Sequence, residues 1–299
     1  MTALSPTRAP AHVPTHVPAR VPARTRPARR AGRWLVRLLL ALGALVSLVP
    51  FLWMAVAATH STSELFRSPP PFLPGGRLLD NLVRLQDTIG FGRVLLNSLG
   101  IAVVHTALSS LLSAMCGYGL AKYRFRGRGL LLGAVLATMM IPFQVLLVPL
   151  FQMMASVGWI DSYQAVILPF LANSFGILLM RQGFVDFPDE LLESARVDGS
   201  GELRTFYQVV LPCVRPQLGA LVIFTFMGQW NSFIWPLLML NSEDKYTVPV
   251  ALNTLTGLTR VDYSGLMLGS LLATLPLLVL FLLFQRQFVA GLLGGAVKG

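Results

Sequence analysis

Charged residues are scarce in this chain, and acidic residues are scarcer than basic ones. Only 12% of the 299 residues are charged, whereas soluble domains usually carry about 25%. Hydrophobic residues make up 54% of the chain, and the mean hydropathy is +0.65. Because a bilayer core about 30 Å thick needs roughly 20 apolar residues per helix, the sequence predicts several membrane spans and no large soluble domain.

Residues that bind metals or nucleotides are few as well. The two cysteines, Cys116 and Cys213, share no metal-ligand spacing and are expected to be free thiols. His105 has no acidic partner in any predicted span, so a neutral imidazole bonded to an adjacent helix is expected. The glycine-rich segment 291–298 lacks the Gly-Lys-Ser/Thr ending of a phosphate-binding loop. The sequence therefore predicts neither a metal site, nor ATP binding, nor an enzyme.

The net charge of +11 is concentrated near the N-terminus, where seven arginines and no acid lie in the first 34 residues. This Pro- and Arg-rich composition predicts a disordered tail over residues 1–34. Lysine and arginine favour the cytoplasmic side of a membrane, and binding to anionic lipid is an alternative role. Residues 35–58 resemble a secretory signal but exceed the 7–15 apolar residues usual for one, so an uncleaved helix is favoured.

Six apolar stretches are long enough, or nearly so, to cross a membrane. They cover residues 35–58, 94–120, 130–154, 163–180, 218–240 and 265–284. Several contain proline, and such breaks are tolerated where neighbouring helices or water satisfy the freed carbonyl groups. The predicted fold is an all-α polytopic membrane protein with an internal path. The basic residues within 122–128, together with the tail, place both termini in the cytoplasm.

The connection between the fourth and fifth predicted spans is polar and has a helical pattern. Pro188 is typical of a first helical turn, and Leu191, Leu192 and Ala195 are spaced to line one face of a helix. The pattern breaks at Asp198-Gly199. Ser200 is placed to cap a second helix over residues 201–209, which Leu211-Pro212 is expected to end.

This loop carries a spaced motif. Glu193-Ser194-Ala195 is followed after three residues by Gly199, and after nine more by Val209, one residue and Leu211-Pro212. The pattern resembles the signature loop of ATP-binding-cassette importer permeases, which reads Glu-Ala-Ala, three residues, Gly, nine residues, Ile, any residue, Leu-Pro. Ser194 and Val209 are the two departures from the family's pattern.

The resemblance implies that residues 186–212 form a coupling loop that docks on a separate ATPase. The residues that it implies for this contact are Glu193, Ser194, Ala195, Asp198, Gly199, Leu211 and Pro212. Glu193 and Asp198 would cap or pair locally, or contact the ATPase. A helix lying on the membrane surface is the alternative, but it would not need Gly and Leu-Pro at these offsets.

Further short matches extend the resemblance to residues 35–299 and to the carbohydrate-uptake branch, in particular the second permease of maltose-type importers. They are Asn97-Ser98, Tyr118, Arg126-Gly-Arg128, Ile141-Pro142, Trp230-Asn231, Trp235-Pro236 and the chain's glycine-rich end. The resemblance implies a permease subunit of an ATP-driven sugar importer in the bacterial inner membrane. Its implied partners are a second permease, two ATPase subunits that bind ATP and Mg, an extracytoplasmic solute-binding protein and the sugar.

Three alternatives stay open. A permease of the same class could carry glycerol phosphate or a polyamine. A secondary transporter would show inverted repeats and intramembrane carboxylates, and the sequence shows neither. A membrane anchor for a signalling complex would not need broken, polar-lined spans.

Sugar recognition needs polar groups and aromatic faces inside the bundle. Gln229, Trp230, Asn231 and Asn173 offer both and are the residues predicted for the substrate path. Buried amides can equally bond neighbouring helices, and the sugar could be held mainly by a partner permease.

Overall fold

The computed structural model describes residues 28–257 and 261–296. The described residues form helices and connecting turns, and no β-strand occurs among them. The chain divides into two units, Met1–Val49 and Pro50–Gly299. The described side chains of the first unit, residues 33–49, are exposed and mostly apolar.

The helices follow one another closely along the chain. Their bounds are α1 Ala28–Ala57, α2 Thr62–Leu65, α3 Leu78–Ile89, α4 Phe91–Lys122, α5 Arg128–Thr138, α6 Phe143–Ser156, α7 Tyr163–Ile167, α8 Ser174–Val185, α9 Asp189–Val197, α10 Glu202–Thr205, α11 Leu211–Cys213, α12 Arg215–Trp230, α13 Ile234–Met239, α14 Val248–Thr254 and α15 Tyr263–Ala296. Short 3-10 turns occupy Leu168–Phe170 and Glu243–Lys245, and a π-helical turn occupies Phe206–Val210.

Three helical segments are long and apolar enough to cross a membrane without a break, namely Arg33–Ala57, Phe91–Lys122 and Tyr263–Gln285. Three further spans arise if each bent pair of helices counts as one. These pairs are α5 with α6, Tyr163–Phe170 with α8, and Glu202–Cys213 with α12, and they bend by 100°, 44° and 87°. The total of up to six equals the number of apolar stretches, but the last pair includes Glu202–Cys213, which precedes the predicted stretch 218–240.

Several predicted boundaries differ from those in the structure. Helix α1 begins at Ala28, so residues 28–34 of the predicted disordered tail are helical, while residues 1–27 lie outside the described part. The predicted span 130–154 is interrupted before Phe143, because Pro142 has an extended backbone and begins a new helix. The predicted span 218–240 ends as a helix at Trp230 and resumes at Ile234.

Helix α4 lies at the centre of the second unit and packs closely against α8. A Cβ atom added at Gly117 would lie 2.7 Å from the backbone nitrogen of Arg181, and one at Gly176 would lie 2.6 Å from the Ser113 Oγ. Small residues permit this approach, as in other membrane helix pairs. The close crossing fixes α8, and therefore the start of the loop after it, against the Lys122 end of α4.

A buried apolar cluster continues from this crossing into the coupling loop. Tyr118 of α4, Phe184 of α8, Leu192 of α9, Phe206 and Val214 are among its members. The Tyr118 ring lies 5.5 Å from the Phe184 ring and 5.3 Å from the Phe206 ring, measured between centroids. The coupling loop has two arms, α9 and the segment Glu202–Cys213. Both arms therefore pack on the same core as α4 and α8.

Candidate functional site

Helix α9 carries the first part of the signature motif and ends at Val197. Gly199 follows in the left-handed conformation with φ +77°. The Ser200 N–H donates to the Ala195 carbonyl at 2.9 Å, and the Gly199 N–H donates to the Arg196 carbonyl at 3.0 Å. This pair of bonds is the Schellman arrangement, in which glycine is favoured because it has no Cβ to strain. The glycine of the motif therefore terminates α9 sharply, as predicted.

The face that α9 presents to the bundle is narrower than predicted. Leu192 and Ala195 are buried, with Leu192 only 5% exposed, whereas Leu191 is largely exposed. The prediction that Leu191, Leu192 and Ala195 line one face was wrong for Leu191, because adjacent helical residues point about 100° apart. Val197 is 87% exposed. Leu191 and Val197 thus leave apolar surface on the outside of the loop.

The two acids of the motif do not pair locally. Among the described residues, the exposed side chains of Glu193 and Asp198 make no hydrogen bond or ion pair. Ser194 instead turns back on its own helix, and its hydroxyl donates to the Glu190 carbonyl at 2.8 Å. Glu193 and Asp198 therefore remain available to an external partner.

The second arm of the loop is a composite helix, Glu202–Cys213. Gly201 is the N-cap residue of this helix, and no side chain caps it. The prediction that Ser200 caps the second helix was therefore wrong. At the π-helical turn, the Leu211 N–H donates to the Phe206 carbonyl, five residues back. The widened turn precedes Pro212, which has no N–H to continue an α-helical ladder.

Leu211-Pro212 does not end this arm, contrary to the prediction. Proline is tolerated in a first helical turn, and α11 continues to Cys213. The chain then turns at Val214, and the arm lies at 87° to α12. The second arm therefore runs nearly perpendicular to the long apolar helix that follows it.

Two side chains at the end of α4 hold the coupling loop. The Lys122 side chain is 8% exposed, and its Nζ donates to Asp189 Oδ1 at 2.7 Å and to the Phe187 carbonyl. The Tyr123 hydroxyl donates to the Glu202 carboxylate. The sequence analysis explained Lys122 by membrane topology alone and missed both contacts. The one local signal is that Lys122 and Tyr123 lie in a basic segment beside a span, and this does not identify their partners.

These contacts shift the pKa values of the loop's acidic groups. The hydrogen bond from Lys122 lowers the pKa of Asp189. The hydrogen bond from Tyr123 and then that from Arg196 lower the pKa of Glu202, while Glu202 raises the pKa of Arg196. All three groups are consequently charged at neutral pH.

A cavity of about 760 Å³ opens beside α4, α8 and α12. Its lining includes aromatic rings, amides and hydroxyls, namely Phe143, Phe170, Phe224, Trp235, Asn173, Gln229, Thr138, Ser174, Thr225 and Ser232. No Asp, Glu, Lys or Arg is among the lining residues, and His105 is their one ionisable group. The His105 Nδ1 lies 3.3 Å from the Ile167 carbonyl oxygen, which matches the expected bond to an adjacent helix.

The four residues predicted for the substrate path are divided by the structure. Gln229 and Asn173 line the cavity, and the Asn173 Oδ1 also accepts the Gly176 N–H at 3.0 Å. Trp230 and Asn231 are not among the lining residues. Trp230 is 4% exposed, donates to the Ala273 carbonyl at 3.2 Å and stacks on Phe226. The Asn231 amide donates to the Met227 carbonyl of its own helix.

The Phe91 end of α4 is held by a second polar cluster. Asp161, with φ +58°, accepts the Ser242 hydroxyl at 2.6 Å and Lys245 Nζ at 2.8 Å. These bonds, with the Lys245 bond first, lower the pKa of Asp161. Asn97 of α4 donates to the carbonyls of Asp244 and Tyr246. The cluster fastens the loop after α13 to α4 and to the turn before α7.

The chain belongs to the family described as the binding-protein-dependent transport system inner membrane component, which matches residues 109–293. It is therefore a membrane permease component of a transport system, not an enzyme. The match confirms the predicted all-α polytopic fold class and the resemblance to importer permeases.

Curated relatives cover most of the chain. The lactose transport system permease protein of Rhizobium radiobacter is 37% identical over 85% of this chain and 93% of its own length. The arabinooligosaccharides transport system permease protein of Halalkalibacterium halodurans is 37% identical over 89% and 96%. An sn-glycerol-3-phosphate transport system permease protein of Yersinia pestis is 32% identical over 85% and 94%. The chain thus resembles permeases whose names include two sugar substrates and one phosphate ester.

A solved structure shares the fold. One chain of a bacterial ABC transporter involved in the import of the acidic polysaccharide alginate matches with a TM-score of 0.75 at 21% identity. The match covers 88% of this chain and 98% of that one.

Proposed function

We propose that this chain is a permease subunit of an ATP-driven importer for a neutral sugar. It forms part of the translocation path through the inner membrane. The observation that carries the proposal is the cavity beside α4, α8 and α12, with the lining residues given above. Two curated relatives named for lactose and arabinooligosaccharides support the same class of solute.

The chemistry of the cavity fits a neutral polyol better than a charged solute. Aromatic rings such as Trp235 and Phe170 offer flat apolar faces, and the amides of Gln229 and Asn173 offer donors and acceptors. A phosphate ester or a polyamine would leave its charge unpaired here, and an unpaired charge in a low-dielectric site is costly. Glycerol phosphate and polyamines are therefore the less favoured solutes.

The proposed assembly contains a second permease, two ATPase subunits and an extracytoplasmic solute-binding protein. In this assembly, the ATPase subunits bind ATP and Mg. Both termini lie in the cytoplasm, as the basic residues of segment 122–128 favour. The coupling loop then faces the ATPases, with Glu193, Ser194, Asp198, Leu191 and Val197 exposed to them.

The motif residues divide into two roles in this proposal. Glu193, Ser194 and Asp198 contact the ATPase. The remaining motif residues give the loop its shape, since Ala195 and Gly199 end α9 and Leu211 and Pro212 adapt the second arm to its turn into α12.

The test is transport by the reconstituted complex with a panel of neutral sugars, glycerol phosphate and spermidine. Neutral sugar uptake that depends on ATP is expected, and Gln229→Ala should raise KM by about tenfold for the loss of one hydrogen bond to the solute. Gln144→Ala removes an exposed amide that is not among the lining residues and serves as the control. Uptake of a charged solute without uptake of any neutral sugar would overturn the proposal.

A further inference from the structure

Four of the six acids of the coupling loop fall into two groups with different surroundings. Glu193 and Asp198 are exposed and make no bond within the described residues, whereas Asp189 and Glu202 are bonded to the Lys122 end of α4. Of these four, only Glu193 and Asp198 are free to meet a partner. The second group fastens the loop to a helix that is distant from it in the sequence.

Glu202 joins three segments of the chain through one carboxylate. Its Oε1 accepts Arg196 Nε at 3.1 Å and lies 3.0 Å from Arg196 Nη2. Its Oε2 accepts the hydroxyl of Tyr123. Arg196 belongs to α9, Tyr123 follows α4, and Glu202 begins the second arm. Bonds from a guanidinium and a hydroxyl to a carboxylate are short and directional, so this cluster links the two arms directly, through Arg196 and Glu202 side chains that are 51% and 52% exposed.

Lys122 adds a second attachment at the first turn of α9. Its ammonium group contacts Asp189 and the Phe187 carbonyl, and it lies 5.8 Å from the centre of the Phe187 ring. The Lys122 side chain is only 8% exposed, whereas that of Asp189 is 74% exposed, so the contacts with Phe187 are the better shielded ones. Both ends of α9 are consequently tied to the same end of α4.

Helix α4 also reaches the cavity beside α8 and α12, because His105 of α4 is one of its lining residues. A displacement of α9 therefore has a route to the cavity through α4, besides the covalent routes through α8 and α12. We propose that Tyr123, Glu202 and Arg196 form a coupling joint that makes α4 and both arms of the coupling loop move as one body. The inference rests on the proposed function, because it requires an ATPase that displaces the loop.

The two natural cysteines allow a direct measurement of this motion. Cys116 lies on α4 and Cys213 ends the second arm, and both are exposed. Spin labels on these thiols report the separation of the two elements in the assembled transporter, without nucleotide and with ATP trapped. The proposal predicts one unchanged distance distribution in both states. A shift larger than the width of the distribution would overturn it, whether or not the complex carries sugar.

Two nearly isosteric variants test the joint itself. In Tyr123→Phe and Glu202→Gln, the distance should become dependent on nucleotide, and sugar transported per ATP hydrolysed should fall about three- to tenfold, as for the loss of one charge-assisted bond. The double variant should lose no more than the worse single variant if the two residues act through each other.

Tyr263→Phe is the matched control, because its ring packs on Phe66 and its hydroxyl has no partner among the described residues. It should leave both readouts unchanged. Normal transport per ATP in both joint variants, with an unchanged distance, would reject the joint and leave the sugar proposal intact. Failure of the wild-type complex to transport any sugar would reject the proposed function, while the distance measurement would still decide the joint.

Discussion

The Ser200 N–H donates to the Ala195 carbonyl at 2.9 Å, and this bond closes α9 over Gly199. It accounts for the three-residue spacing between alanine and glycine in the motif. In a Schellman ending, the third residue from the helix end accepts the bond, and the first residue past the cap is left-handed. Ala195 and Gly199 occupy these two positions. The spacing is therefore a requirement of the backbone at the end of a short helix.

Replacement of Gly199 by leucine should uncouple the loop without preventing membrane insertion. No atom lies within 4 Å of the position that its Cβ would occupy, so the cost is backbone strain of about 1–2 kcal/mol at φ +77°. We expect α9 to end elsewhere and ATP-driven uptake to be lost. Uptake and ATPase activity in proteoliposomes measure this, with protease accessibility as the check on insertion.

Gly90→Leu is the matched control for strain, since Gly90 also has positive φ, at +60°, and open space around its Cβ position. Gly90 precedes α4, at the end opposite to Lys122 and the coupling loop. If Gly90→Leu loses a similar amount of stability but keeps coupled ATPase activity, the uncoupling by Gly199→Leu is caused by the altered loop and not by strain in general. Normal coupled ATPase activity in Gly199→Leu would show that the loop does not couple the ATPase to the membrane spans.

The sequence predicted the helical class and the two-armed loop because both leave local signals. Apolar length predicts a span, and the break at Asp198-Gly199 predicts a turn. The sequence did not reveal which way the Trp230 side chain points, because apolar residues occur on all sides of α12. Only the contacts of Trp230 with Ala273 and Phe226 show its direction. The contact of Tyr123 with Glu202 joins residues far apart in the chain, which local patterns do not reveal.

Gly117→Leu should disrupt the crossing of α4 and α8. A Cβ at this position would lie 2.7 Å from the Arg181 backbone nitrogen and 2.9 Å from the Met180 Cβ. Because both atoms are fixed to the backbone of α8, the two helices would have to move apart. We expect a loss of at least about 1–3 kcal/mol, the usual cost of overpacking a core. Thermal unfolding of the detergent-solubilised complex measures the change.

Gly119→Leu, two residues further along α4, is the control, because no atom lies within 4 Å of its Cβ position. It should unfold at the wild-type temperature. Equal destabilisation by the two variants would show that side-chain bulk on α4, and not the crossing with α8, sets the stability.

The stabilisation of the fold by the Asp161 carboxylate should persist in mild acid. A carboxyl group whose pKa is lowered on folding stabilises the fold above its unfolded pKa, about 3.9 for aspartate, and loses that contribution as the pH falls towards the folded value. The stability difference between wild type and Asp161→Asn should therefore be constant above about pH 5 and should shrink only below about pH 4. Asparagine tolerates the positive φ of this position, so the comparison isolates the charge.

Thermal unfolding at a series of pH values checks this prediction. Lys245→Met should reduce the difference between aspartate and asparagine at neutral pH, because Lys245 is the largest cause of the lowered pKa of Asp161. A difference that instead grew on acidification would contradict the assigned sign.

Trp230→Phe should weaken the fold without altering sugar recognition, although Trp230 adjoins Gln229 in the chain. The indole N–H donates to the Ala273 carbonyl of α15, and the ring stacks on Phe226 at 5.7 Å. Neither ring lines the cavity beside α4, α8 and α12. Loss of this hydrogen bond should cost about 0.5–1.5 kcal/mol. The unfolding temperature should fall while KM for the sugar stays at the wild-type value, whereas Gln229→Ala should do the reverse. A raised KM in Trp230→Phe at unchanged stability would place the indole in the translocation path instead.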